Sequence, residues 1–157
     1  MPDEGRLSIE PAWAAPQSSG KAQIASREFK GITQIVTLRF VLTLHALAVL
    51  AQSGFAGEFL SGSDGPVKFH EFTGWLILGI CALQLTLAAV LARSGTVSLW
   101  LVFGSVFLLL AEALQTGTGY GRFLRVHIPL GVVTFGAVTW QLVSVFRAKG
   151  PGAGLRT

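Results

Sequence analysis

Four long apolar runs, separated by short polar punctuation, dominate the chain at approximately residues 35–55, 69–92, 97–114 and 126–146. None alternates with the period of two that a barrel strand requires, and four strands cannot close a barrel. A hydrocarbon core about 30 Å thick takes about 20 helical residues, within a range of about 17–25, so each run predicts a membrane-spanning helix. The third is the shortest. The interruptions add connectivity. "SGSDGP" (61–66) and "TGTGYG" (116–121) read as breakers, while "ARSGT" (92–96) reads as a turn tight enough to make helices two and three antiparallel neighbours. The expected fold is all-α, a polytopic membrane four-helix bundle over residues 31–147.

The flanks differ in kind. The first 26 residues, "MPDEGRLSIEPAWAAPQSSGKAQIAS", mix Pro, Ser, Gly and charge without any period. They lack the apolar core and small-residue cleavage site of a signal peptide. Residues 1–30 are therefore expected to be a disordered tail, with Trp13 incidental to it, and the Gly-rich, basic residues 148–157 a second one.

Composition agrees with this class. Of the 157 residues, 51% are hydrophobic and 13% charged, about half the charged share of a soluble domain. The net charge of +4 is spread around the apolar runs without an aromatic-interleaved basic face, which argues against nucleic acid. It serves better as a topology signal. Arg6, Lys21, Arg27, Lys30, Arg39, Arg93, Arg147, Lys149 and Arg156 fall on one side, against Lys68, Arg122 and Arg125 on the other. The positive-inside rule then puts both termini in the cytoplasm of a cell (inner or plasma) membrane protein. Arg39 lies one turn inside helix one, where its long stem can snorkel to the headgroups. The lone Cys81 can form no intrachain disulfide.

A pattern is repeated within this frame. "HEFTGWLILG" (70–79) and "HIPLGVVTFG" (127–136) each begin with His and carry Gly at the fifth and tenth positions. Ahead of them, "AQSGFAG" (51–57) matches "LQTGTGYG" (114–121), with Gln52 and Gln115 near the ends of helices one and three. The offsets are 57 and 63 residues. The chain thus reads as two copies of one helix hairpin, which an axis along the membrane normal can relate. Helices two and four then start on the same side, with His70 and His127 at one depth. Gly74 and Gly131, one turn further on, would leave space beside each imidazole for a flat ligand or another helix. This suits one b-type haem with His70 and His127 as axial ligands, its charged edge met by Arg122, Arg125 and Lys68. The other reading is interfacial histidines, with glycines as helix-packing contacts.

Further polar residues extend the list. His45, deeper in helix one, can be a third ligand, a proton relay or a hydrogen-bonded core histidine. Glu112 can pair with Arg122, Arg125 or His45, take protons from a reduced quinone, or stand as an interfacial carboxylate. Pro129 either marks the first turn of helix four or kinks a helix that begins nearer Arg122. Trp75, Trp100 and Trp140 fit aromatic belts or bundle contacts.

The motifs "AQSGFAGEF", "HEFTGWLILG" and "HIPLGVVTFG", over residues 35–146, resemble a family of small bacterial four-helix membrane proteins. There a Gln–Ala–Gly motif closes helix one and histidines open helices two and four. The resemblance implies fold and topology. The arrangement is also similar in logic to the haem-binding units of haem A synthase and cytochrome b561-type proteins, which normally carry four histidines in two pairs, so one haem at most is implied here. Two functions follow as expectations. One is a membrane b-type cytochrome, passing electrons between a quinol pool and an outer-face partner or serving in a larger redox complex. The other is an accessory or assembly subunit of a membrane complex without cofactor. A carrier or sensor of a small apolar ligand is a third, and no hydrolase, kinase or ATPase motif is present.

Overall fold

The computed structural model describes residues 17–62 and 65–148, so the expectations for Trp13 and for the tail residues 149–157 lie outside it. Four α-helices account for nearly all of it: α1 (Gln17–Leu60), α2 (Pro66–Arg93), α3 (Leu99–Tyr120) and α4 (Leu124–Arg147). No strand occurs among the described residues. All four helices are long and apolar enough to cross a membrane.

Several boundaries depart from expectation, among them the end of α1, which continues past the expected 55 to Leu60. Helix α1 begins at Gln17, so residues 17–30, expected to be disordered, are helical. Its 44 residues span about 66 Å at 1.5 Å per residue, roughly twice a bilayer core. The expectation of disorder rests on Pro, Ser, Gly and charge without a period, but residues 17–30 hold no Pro, and Lys21, Ala22, Gln23, Ala25, Arg27, Glu28 and Lys30 are good helix formers. Helix α3 runs through "TGTGY", because Thr116 and Thr118 donate their hydroxyls back to the carbonyls of Glu112 and Leu114, at 2.9 Å each. Helix α4 begins at Leu124, which makes Pro129 its sixth residue; with no N–H to give the Arg125 carbonyl it forgoes one early i→i−4 bond, and the helix continues to Arg147. The turn at 94–98 is as tight as expected, with Gly95 at φ +72 and Ser98 capping α3 through its side chain.

Each helix packs on two neighbours, α1 on α2 and α4, α3 on α2 and α4, which closes an antiparallel ring. The diagonal pairs, α1 with α3 and α2 with α4, meet only through side chains. Outward-facing positions are apolar and exposed, among them Phe40, Trp100, Leu110, Val132 and Trp140, as expected where lipid is the surrounding solvent. The interior is layered. Leu38, Leu42, Leu91 and Val145 pack together, and Ala46, Cys81, Leu108 and Val138 form a second group. Every buried residue of α4 (Thr134, Val138, Gln141, Val145) stands 57 positions after a buried residue of α2 (Ile77, Cys81, Gln84, Ala88).

Arg39 does not simply snorkel. Its guanidinium lies 5.1 Å from the Phe146 ring centre and donates to the carbonyls of Val145 (3.3 Å) and Ala148 (3.5 Å). These are carbonyls at the C-terminal end of α4, where a cation is favoured by the helix dipole.

Candidate functional site

Two tiers of polar side chains lie along the axis of the bundle. The first lies at the end bearing the α1–α2 and α3–α4 connections. His70 is the fifth residue of α2 and His127 the fourth of α4, so both project from first turns at one level. Their ring centres are 6.0 Å apart, with planes at 62°. Each ring is held alike. His70 Nδ1 donates to the Gln52 carbonyl at 3.3 Å, and His127 Nδ1 to the Gln115 carbonyl at 2.9 Å. A carbonyl only accepts, so the proton of each neutral ring sits on Nδ1 and Nε2 keeps its lone pair. Both rings are half-buried. The amide nitrogen of Gln52 closes a reciprocal bond to the His70 carbonyl at 2.9 Å. The side-chain oxygens of Gln52 and Gln115 are buried without a partner.

The glycines serve a different neighbour from the one expected. A Cβ at Gly74 would lie 3.4 Å from Gln52 Nε2, and one at Gly131 only 2.9 Å from Gln115 Nε2. They make room for glutamines of α1 and α3 instead of lining a cleft between α2 and α4. The reason is topological, because α2 and α4 are diagonal and the face below each histidine meets the preceding helix. The glycine that touches a ring is Gly119, where a Cβ would stand 2.9 Å from His127 Cε1. Arg122, at φ +55 in the α3–α4 turn, and Arg125 are exposed, and neither forms an ion pair or side-chain hydrogen bond among the described residues. Lys68 is likewise exposed. On the flank of this tier, Trp75 donates to the Tyr120 hydroxyl at 3.0 Å, and Tyr120 donates to Glu71 at 2.5 Å, tying α2 to α3.

The second tier is deeper and fully enclosed. His45 belongs here and does not join the histidine pair. Its Nε2 lies 2.6 Å from Glu112 Oε1 and its Nδ1 2.7 Å from Gln84 Oε1. Gln84 in turn donates through Nε2 to Gln141 Oε1 (2.7 Å) and Ser105 Oγ (3.1 Å). Glu112 therefore takes His45, out of the three partners considered for it, and leaves Arg122 and Arg125 alone. With Gln84 oriented this way, His45 Nδ1 carries a hydrogen, and one further proton is shared between Nε2 and the carboxylate. The pair is neutral in sum, which a low-dielectric interior demands. Both diagonals are bridged here: α1 to α3 by His45–Glu112, and α2 to α4 by Gln84–Gln141. Cys81 completes the cluster, its sulfur within 4.8 Å of ligand atoms of both His45 and Glu112.

The sequence reading did not single out Cys81, Gln84, Ser105 or Gln141 as site residues. A signal existed for two of them, because Gln84 and Gln141 are separated by the same 57 residues as the histidines, and each interrupts an apolar run. A buried amide without partners costs several kcal/mol, so two at matching depth imply a partnership. A groove of about 790 Å³ at the other end of the bundle, lined by Trp100, Gly104, Trp140 and Gln141 among others, is walled mainly by apolar side chains.

Four apolar, antiparallel helices around a polar axis define the chain as an all-α four-helix bundle, each helix long and apolar enough to cross a membrane. No family model matches it, and no curated protein or solved structure matches it either.

Proposed function

We propose that the connection end holds one b-type haem between His70 and His127, and that the chain is a small membrane cytochrome passing electrons between a quinol pool and a partner at the outer face. One observation carries this reading: two imidazoles at one level, each with Nδ1–H tied to a backbone carbonyl and Nε2 left free. Metal-binding histidines almost always hold their second nitrogen in this way, which fixes tautomer and ring orientation. The ring centres lie 6.0 Å apart on helices that do not pack against each other directly, so one group held between the two imidazoles would be reached from both sides. A haem held there would supply one-electron redox chemistry. The residues contribute the rest: His70 and His127 as ligands, the Gln52 and Gln115 carbonyls as their orienters, and Arg122, Arg125 and Lys68 as the cations of that end. His45 is committed to Glu112 and stays outside the ligand set.

The matching registers of α2 with α4 support the two-hairpin reading, and the Lys/Arg split supports cytoplasmic termini in a cell membrane. The test is an absorption spectrum of the purified, dithionite-reduced protein, which should show the α-band of low-spin haem b. A protein that stays colourless after haem supplementation would assign the chain to the accessory-subunit class instead.

A further inference from the structure

The geometry points to a second centre: a divalent cation of the zinc class bound by His45, Cys81 and Glu112 in the middle of the bundle. The three residues come from α1, α2 and α3, all are buried, and their ligand atoms lie within 4.8 Å of one another. Imidazole, thiolate and carboxylate are the ligand types zinc takes. The hydrogen bond between His45 and Glu112 accounts for only part of this cluster. Glu112 Oε2 is buried with no partner, so a bare hydrogen-bonded pair leaves an acceptor unsatisfied in an apolar interior.

Distances and charge both suit an ion. Tetrahedral bonds of about 2.0–2.1 Å to nitrogen and oxygen separate those two atoms by about 3.3 Å, less than 1 Å beyond the observed 2.6 Å. Binding displaces two protons, one from the Cys81 thiol and one shared by His45 and Glu112. A dication then replaces two positive charges, and the cluster remains neutral. A monovalent ion with the same thiolate and carboxylate would leave a net negative charge among apolar side chains, which is costly. The outer shell is in place as well. His45 Nδ1 already donates to Gln84 Oε1, and Gln84 is held by Ser105 and Gln141, the arrangement that orients a metal-binding imidazole. Gln84 is thus a positioning residue, and the bound ion would stitch three of the four helices together.

The experiment loads the full chain during synthesis, because the centre is closed in the folded protein. Cells grown with added zinc, and separately with cobalt, yield detergent-purified protein for metal analysis after desalting. Wild type should retain about one equivalent of zinc, and the cobalt form should show a thiolate-to-cobalt charge-transfer band in the near ultraviolet. Cys81→Ala should abolish that band and lower the retained metal at least tenfold while eluting as wild type, with Cys81→Ser as a second probe if the alanine variant aggregates. Gln84→Leu should weaken retention about 10–100-fold with the band position unchanged. His70→Ala and His127→Ala should leave both readouts intact, which separates this centre from the haem reading. Retained metal no higher in wild type than in Cys81→Ala, or cobalt bound without the charge-transfer band, would overturn the assignment.

Discussion

Replacing His45 tests the deep polar tier most directly. Protein from cells grown without added metal, and shown metal-free by analysis, is the right starting point, so that only hydrogen bonds are at stake. His45→Leu deletes both contacts of the ring, at 2.6 Å to Glu112 and 2.7 Å to Gln84. Glu112 then has neither oxygen paired, since Oε2 is already alone, and Gln84 Oε1 loses its donor. Breaking a buried pair from one side costs about 3–5 kcal/mol, because the abandoned partner remains desolvated. Glu112→Leu carries a similar penalty by stranding the imidazole. The double replacement behaves differently. With both partners gone, only Gln84 Oε1 is unpaired, at about 1–3 kcal/mol. Leucine fits the space in outline, because Leu108 stands 63 residues after His45, the offset that relates Gln52 to Gln115, and is fully buried.

The double variant should therefore be at least as stable as either single one, with a coupling of about 2 kcal/mol or more between the sites. Reversible unfolding in mixed lipid–detergent micelles, followed by helical circular dichroism and Trp fluorescence, supplies the four free energies. Additive losses would refute the reasoning, since they would mean that His45 and Glu112 do not share a proton. Single variants within about 0.5 kcal/mol of wild type, a typical exposed-surface effect, would show that the pair does not form at all.

Further expectations concern the outer tier and the topology. His70→Ala and His127→Ala should each abolish or convert the low-spin haem spectrum, whereas His45→Ala should leave it largely intact, and equal loss from all three would indicate general destabilisation. Gly131→Ala puts a Cβ within 2.9 Å of Gln115 Nε2, the movable end of a side chain, so the amide must shift and the variant should be less stable than Gly136→Ala by up to about 1 kcal/mol. Gly136→Ala, with open space around it, should be neutral or stabilising by up to about 1 kcal/mol; the reverse order in micelle unfolding would sink the packing account. Cysteines at Ser61 and Ser94 report orientation: an impermeant thiol reagent applied from outside should label the first and spare the second, with buried Cys81 silent, and the opposite pattern would invert the topology.

Helix number was legible because length and hydropathy alone decide it, and the α2–α3 turn because Gly95 needs a left-handed backbone. Helix ends were less legible. Thr116 and Thr118 look like breakers in composition, yet their hydroxyls are satisfied by the carbonyl four residues back, and α3 simply continues. His70 and His127 could be paired from sequence since their spacing recurs with its glycines. The destination of those glycines could not be read, because it depends on which helices are adjacent and which diagonal. Cys81 was the least legible. A lone cysteine in an apolar run is ordinary packing until α1 and α3 bring His45 and Glu112 to it.

The two tiers also differ in symmetry, and this bears on what each can hold. In the outer tier, His70 donates to the Gln52 carbonyl as His127 does to the Gln115 carbonyl, so the two rings are oriented alike. In the inner tier the same offsets pair His45 with Leu108, Glu112 with Val49, and Cys81 with Val138. In the two-hairpin reading, a side chain that reaches across the middle occupies the space its equivalent from the other hairpin would need. One histidine at that depth therefore excludes a second, and leucine takes the other position. Only Gln84 and Gln141 keep their likeness, because amides can bond to one another, donor to acceptor, across the centre. A duplicated hairpin can thus present two equal imidazoles where its helices begin, and a single set of unlike ligands where they converge.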